Sequence, residues 1–137
     1  MRLVLDANVL IATALSRRGA PARLVEAWRD GTIELVLCPR LLDELEGVLR
    51  RPKLRARVDQ AAARDFLDLL RNHAEVVEDP TNSPQIRSED PADDYLIALA
   101  ARERVHIVSG DAHLLELSDA IPVVSPRAAL EMIESPR

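Results

Sequence analysis

Short aliphatic runs alternate with helix-like patterns along this chain, and that alternation restricts the fold more than any compositional figure does. Arg2-Leu3-Val4-Leu5, Thr32 to Cys38, Glu75-Val76-Val77, His106-Ile107-Val108 and Ile121 to Val124 read as strands. Helices are expected over about 8–16, then to about 30 after the Arg17-Arg18-Gly19-Ala20-Pro21 break, with Gly31 as the stop. Others are expected from Pro39 to Arg51-Pro52, over about 59–72, from Asp94 to about 104, briefly over 112–117, and from Pro126 onward. Glu78 to Ala92 carries three prolines and Asn82-Ser83 and reads as a loop. Five strands separated by helices predict an α/β fold, a three-layer α/β/α arrangement around a mainly parallel five-stranded sheet covered on both faces. At 137 residues the whole of 1–137 fits one domain.

Four acids recur at related places in this pattern. Asp6 ends the first strand, and Asp111 follows the fourth strand through Ser109-Gly110. Asp94 opens an apolar helical run, and Glu44 lies in a helix whose apolar positions 41, 42, 45, 48 and 49 trace one face. In open α/β sheets the ligand crevice lies beyond the carboxyl ends of the strands, so these segments converge there. Four carboxylates in one crevice would repel one another, and a bound cation is the usual relief. Each also has a plainer reading: an Asp at a strand-to-helix junction is a common N-cap, and a Glu on a helix is commonly solvated. Asn8 reads equally as a cap, and Ser109 as the partner of a local backbone donor.

Charge and composition limit the partners. The net charge of −5 argues by itself against nucleic acid, but residues 17–64 hold eleven of the eighteen Lys and Arg against seven acids. Within that stretch Arg50, Arg51, Lys53, Arg55 and Arg57 form the densest basic patch, readable as a solvated helix end or as a phosphate-contacting surface. Aromatic residues make up 2% of the chain, so its core must be built from Leu, Val, Ile and Ala, and little is available for base stacking. One cysteine, Cys38, leaves no internal disulfide; it fits a reducing cytoplasm and reads as a buried strand-end residue. No membrane span is expected. His73, His106 and His113 lack the spacing of a zinc site.

Taken together, Asp6-Ala7-Asn8-Val9-Leu10, Glu44-Leu45-Glu46-Gly47-Val48-Leu49, Asp90-Pro91-Ala92-Asp93-Asp94 and Val108-Ser109-Gly110-Asp111 resemble the PIN-domain nucleases, the family that includes the VapC-type toxins of toxin–antitoxin systems. The resemblance spans nearly the whole chain. It implies a metal-dependent endoribonuclease acting on single-stranded RNA, with Asp6, Glu44, Asp94 and Asp111 around one or two Mg²⁺ or Mn²⁺ ions and Asn8 and Ser109 as polar companions. Asp93 and Asp94 compete for the third position; Asp94 fits the family spacing better, with Asp93 as an outer ligand. The resemblance further implies a small antitoxin, docked by an apolar segment on the early helices, and a homodimer. Independently of it, an oxygen-only ligand set selects hard cations such as Mg²⁺.

Two other acid-rich enzyme classes fit poorly. A haloacid dehalogenase-type phosphatase needs a second Asp two residues after the first, where this chain has Asn8, and a phospho-receiver needs a lysine after a late strand, whereas the single lysine is Lys53. The remaining rival is a PIN-like module that binds RNA or protein without cutting. It predicts the loss of one acid, and all four are present. Asp43, Glu46, Asp90 and Asp119 read as solvated acids or caps.

Overall fold

The computed structural model describes residues 1–81 and 93–134. Its elements are β1 (Arg2–Leu5), α1 (Ala7–Leu15), α2 (Ala20–Arg29), β2 (Glu34–Leu37), α3 (Pro39–Leu49), α4 (Pro52–Arg55), α5 (Gln60–His73), β3 (Glu75–Val76), α6 (Asp94–Glu103), β4 (His106–Val108), α7 (Ala112–Leu115), β5 (Val123–Val124) and α8 (Pro126–Glu134). Every strand pairing is parallel, and the order is β3-β2-β1-β4-β5. The chain thus builds outward from β1 on one side, then crosses back to lay β4 and β5 on the other. That reversal puts the topological switch point between β1 and β4, paired through Leu3 with His106 and Leu5 with Val108.

Burial explains why the central strands are uniformly apolar. Leu3, Val4 and Leu5 are each fully buried, as are Leu35, Val36 and Leu37, so the alternating side chains on both faces of the sheet are covered. Helices α2 and α8 pack on each other, α1 packs on α2 and α3, and α3 also packs on α5. The largest fully buried side chains are all leucines, in keeping with the scarcity of rings. Among the described residues no helix is long and apolar enough to cross a membrane.

Local chemistry sets the element boundaries, and it accounts for where they depart from expectation. The second strand begins at Glu34 rather than Thr32 because Thr32 belongs to a turn: Asp30 Oδ1 accepts hydrogen bonds from its backbone N–H at 3.0 Å and its hydroxyl at 2.5 Å. Gly31 sits just past α2 at φ 86°, a left-handed conformation that favours glycine. The last strand shortens to Val123–Val124. Pro52 was expected only to end a helix, yet it also starts the one-turn α4, since proline suits the first helical position. Helix α3 starts at Pro39 with Cys38 in the capping position; the thiol makes no cap, and Asp79 Oδ1 instead accepts from the Arg40 N–H at 2.8 Å. Cys38 is fully buried, and burial pushes its thiol up to about 11, so it is a protonated core residue as expected. Asp90, Pro91 and Ala92, and most of the proline-rich loop, lie outside the described residues.

Candidate active site

Asp6 and Ser109 are the two buried polar side chains among the described residues, and they are bonded to each other. Asp6 leaves the end of β1 and Ser109 the end of β4, so the pair straddles the switch point of the sheet. Asp6 Oδ1 accepts from the Val9 N–H at 2.8 Å and caps α1, while Oδ2 accepts from the Ser109 hydroxyl at 2.5 Å. Ser109 Oγ in turn accepts from the Asp111 N–H at 3.0 Å. With its proton given to Asp6 and a lone pair taken by Asp111, the hydroxyl is fixed in orientation. Asp111 follows as the cap of the short α7, its Oδ1 accepting from His113 N–H at 2.9 Å. The capping reading of Asp6 and Asp111 is therefore met by both side chains.

The electrostatics of this corner are unfavourable. Burial raises the Asp6 carboxyl above the ordinary Asp range; the hydrogen bonds from Ser109 and Val9 pull it back, and the negative charges of Asp111 and Glu44 raise it again. Those last contributions put Glu44 within electrostatic range of Asp6, although it sits on α3 and is itself exposed. Among the described residues, no Lys or Arg forms a salt bridge with Asp6, Glu44 or Asp111. The donors are carboxylate and hydroxyl oxygens, the chemistry that fits a hard divalent cation. Among the described residues no three acidic, His or Cys side chains are already gathered tightly enough to enclose one. The set therefore fits a metal in its chemistry and its unrelieved charge, with the acids converging rather than closed into a cage.

The remaining candidates fall into place unevenly. Asp94 is half-buried in the first turn of α6 and Asp93 is half-buried just before it. Asn8 is exposed at the second position of α1, and of its two readings the capping one falls, because Asp6 supplies the cap. In the basic patch Arg51, Lys53, Arg55 and Arg57 are exposed. Arg50 is exposed as well but is tied to Glu46 at 2.5 Å, and Glu46 also meets Arg71 at 2.7 Å, so Glu46 is a half-buried ion-pair partner rather than a solvated acid. Asp43 and Asp119 are exposed, as expected.

Two residues that sequence reasoning passed over border the site. The buried Tyr95 donates its hydroxyl to Glu44 Oε1 at 2.9 Å, and the Arg40 guanidinium lies 4.3 Å from the centre of the Tyr95 ring. Burial, then the charge of Glu44, pushes the phenol well above the usual tyrosine range, so it remains a donor. Tyr95 is the single tyrosine of the chain and directly follows Asp94, which was the available signal, but its place in an apolar run reads as core.

Comparison with known proteins agrees with the fold. The sequence model of the PIN domain family matches residues 2–113. No match was found among curated proteins. Among solved structures, the fold is similar to PAE2754 from Pyrobaculum aerophilum (TM-score 0.66, 17% identity, covering 99% of this chain and 91% of that one). It is also similar to VapBC2 from Rickettsia felis, solved bound to a DNA fragment from its promoter (0.60, 14%, 91% and 98%). A third is FitAcB from Neisseria gonorrhoeae (0.51, 20%, 91% and 98%). At these identities the likeness concerns the fold, and it reaches end to end, while the sequence match takes in the whole stretch from Asp6 to Asp111. This chain belongs to the PIN domain family.

Proposed function

We propose that this chain is a metal-dependent endoribonuclease that hydrolyses phosphodiester bonds in single-stranded RNA, with Mg²⁺ or Mn²⁺ held by Asp6, Glu44, Asp94 and Asp111. The observation that carries the reading is the buried Asp6–Ser109 pair at the switch point, with Asp111 and Glu44 adding like charge beside it. A carboxylate kept buried among other carboxylates weakens the protein unless something positive is meant to bind there. The PIN domain family, to which the chain belongs, is generally one of nucleases.

The chain's own residues have distinct tasks in this scheme. Asp6 is held rigid at both oxygens by Val9 and Ser109, so it presents a fixed anionic edge. Ser109 ties Asp6 to the Asp111 backbone, which sets the spacing of those two acids. Asp94 brings a carboxylate from the first turn of α6, with Asp93 as the outer alternative. When bound, Mg²⁺ or Mn²⁺ lowers the pKa of an attacking water and offsets charge on the phosphate and the leaving oxygen. With few aromatic side chains, RNA is held through arginine contacts to phosphate rather than through stacked bases.

The reading extends to the toxin of a toxin–antitoxin pair. A groove of about 560 Å³ between α1, α2 and α5, lined by apolar Ala22, Val25 and Phe66 together with the charged Arg17, Glu26 and Arg29, supports an antitoxin that buries a segment with apolar and charged side chains on the early helices. VapBC2 and FitAcB, similar in fold, support the same extension. A homodimer is part of the proposal, with no interface assigned. The test is cleavage of single-stranded RNA with and without Mg²⁺ by the native chain, Asp6→Asn and Asp94→Asn. Mg²⁺-dependent cleavage lost in both variants is expected, and undiminished cleavage in both would sink the site. A native chain that binds RNA and cuts none would make it a binding module. Growth arrest on expression, relieved by a neighbouring gene, tests the toxin role.

A further inference from the structure

Helix α3 grips Tyr95 at two points. Arg40 and Glu44 are four residues apart and so share one face of α3. Arg40 covers the ring of Tyr95 at 4.3 Å while Glu44 takes its hydroxyl at 2.9 Å. Tyr95 is buried and sits in the first turn of α6, one residue after Asp94. The helix that carries Glu44 and the helix that carries Asp94 are therefore joined by this one ring, and the joint lies at the edge of the acid cluster. Left to itself, an exposed glutamate samples many rotamers, and fixing it costs side-chain entropy. A buried phenol that donates to it removes much of that freedom in advance.

We propose that Tyr95 is a positioning residue for the metal site: by holding one oxygen of Glu44, and being held in turn by Arg40, it sets the Glu44 carboxylate toward the cluster formed with Asp6 and Asp111. This rests on the nuclease reading given above. The plain alternative is that Glu44 merely satisfies a buried hydroxyl, which would otherwise be left without a partner. The two differ in what the pair does for cation binding. A hydroxyl that only needs a partner has no bearing on the metal; a hydroxyl that orients a ligand changes metal affinity through that ligand alone.

The experiment uses the full chain and Mn²⁺ as the probe, with free Mn²⁺ counted by electron paramagnetic resonance. Tyr95→Phe keeps the ring under Arg40 and removes only the hydroxyl, and Glu44→Ala alters an exposed residue, so both variants should fold, which thermal melts check. Tyr95→Phe is expected to weaken Mn²⁺ binding by about tenfold, as loss of a partner behind a ligand does. In the Glu44→Ala background the same change is expected to have no further effect. Because Tyr95 is the single tyrosine, the difference spectrum between native and Glu44→Ala, in which the unchanged absorption of Trp28 cancels, should show a shift of its near-ultraviolet band in metal-free protein. In RNA cleavage Tyr95→Phe should lower kcat at subsaturating Mn²⁺ and leave KM for RNA unchanged. Native-like Mn²⁺ affinity in Tyr95→Phe, or an equal loss with and without Glu44, would overturn the positioning role alone. A native chain that neither binds Mn²⁺ nor cleaves RNA would overturn the nuclease reading and this inference together.

Discussion

The two ends of β1 are four residues apart and treat charge in opposite ways. At the amino end Arg2 binds Glu75 through two hydrogen bonds, at 3.0 and 2.8 Å, and reaches Glu103 at 3.0 Å and its backbone carbonyl at 3.1 Å. One cation there joins β1, β3 and the end of α6 and serves two carboxylates. These bonds push the Arg2 guanidinium up and hold Glu103 below the ordinary Glu range, the Arg2 bond first and Arg102 second. At the carboxyl end Asp6 is buried, faces Asp111 and Glu44, and is raised rather than lowered. The charge at Arg2 is arranged to cancel, whereas the charge at Asp6 is left uncancelled and buried, which supports the cation proposed to bind there.

The comparison breaks first at Asp6. Asp6→Asn should reduce Mg²⁺-dependent cleavage by more than about 100-fold, since changes one shell further out already cost 10–100-fold. In the absence of metal the same variant should be more stable than the native chain at neutral pH. A raised folded-state pKa means that the native state holds the proton longer than the unfolded chain, so stability falls as pH rises through that window. Acidification through the raised pKa of Asp6 should therefore close the gap between native and variant. Mn²⁺ at ten times its Kd should restore about 1.4 kcal/mol to the native chain and little to the variant. Melting curves in chelator and in Mn²⁺ at several pH values read all of this, and a metal-free variant less stable than native at neutral pH would remove the argument from charge.

Ser109→Ala comes next. It leaves Asp6 Oδ2 without its donor and the Asp111 N–H without its acceptor, so cleavage should fall about 10- to 100-fold. Stability should fall by about 1–3 kcal/mol, the cost of buried groups left unpaired, readable in urea titrations. At the other end of β1, Glu103→Gln should lower stability at neutral pH by about 1 kcal/mol or less, because the triad is partly exposed, and should leave cleavage unchanged. Here the sign reverses: a lowered pKa gives stability that is present above the unfolded value and lost as pH falls through the folded one. Opposite pH slopes from the two ends of one strand would be the sharpest form of the comparison.

The sheet was legible because β1, β2 and β4 are buried on both faces and so read as unbroken aliphatic runs, and because Asp6 and Asp111 stop at their ends. Boundaries were less legible where a polar side chain redirects the backbone, as Asp30 does to Thr32, or where proline both ends and begins a helix, as at Pro52. In the candidate site, Ser109 joins Asp6 to the Asp111 backbone and Glu44 lies within electrostatic range of Asp6, while the four-acid site itself stands as a proposal. Tyr95 and Arg40 were not legible, since a hydroxyl partner 51 residues away and a cation on a ring leave no trace in local periodicity. Net charge is uninformative in the same way: it sums the Arg2 triad and the acids near Asp6 without telling them apart.

The basic patch is where the smallest effect is expected. Arg50 is already spent on Glu46, and α4 is a single turn anchored by the half-buried Leu54, with Arg51, Lys53, Arg55 and Arg57 projecting into solvent. Exposed charges of this kind cost little to keep, so their presence alone is not evidence of a ligand. If they meet RNA, they meet its phosphates, and phosphate contacts add affinity without touching the chemical step. Lys53→Gln combined with Arg55→Gln should then raise KM by about two- to threefold, leave kcat unchanged, and flatten the dependence of log kcat/KM on log salt by about 0.7 for each phosphate no longer neutralised. A salt slope identical to that of the native chain would make the patch a solvated helix end, and the phosphate-binding surface would have to be sought nearer the acids, beginning with Arg40.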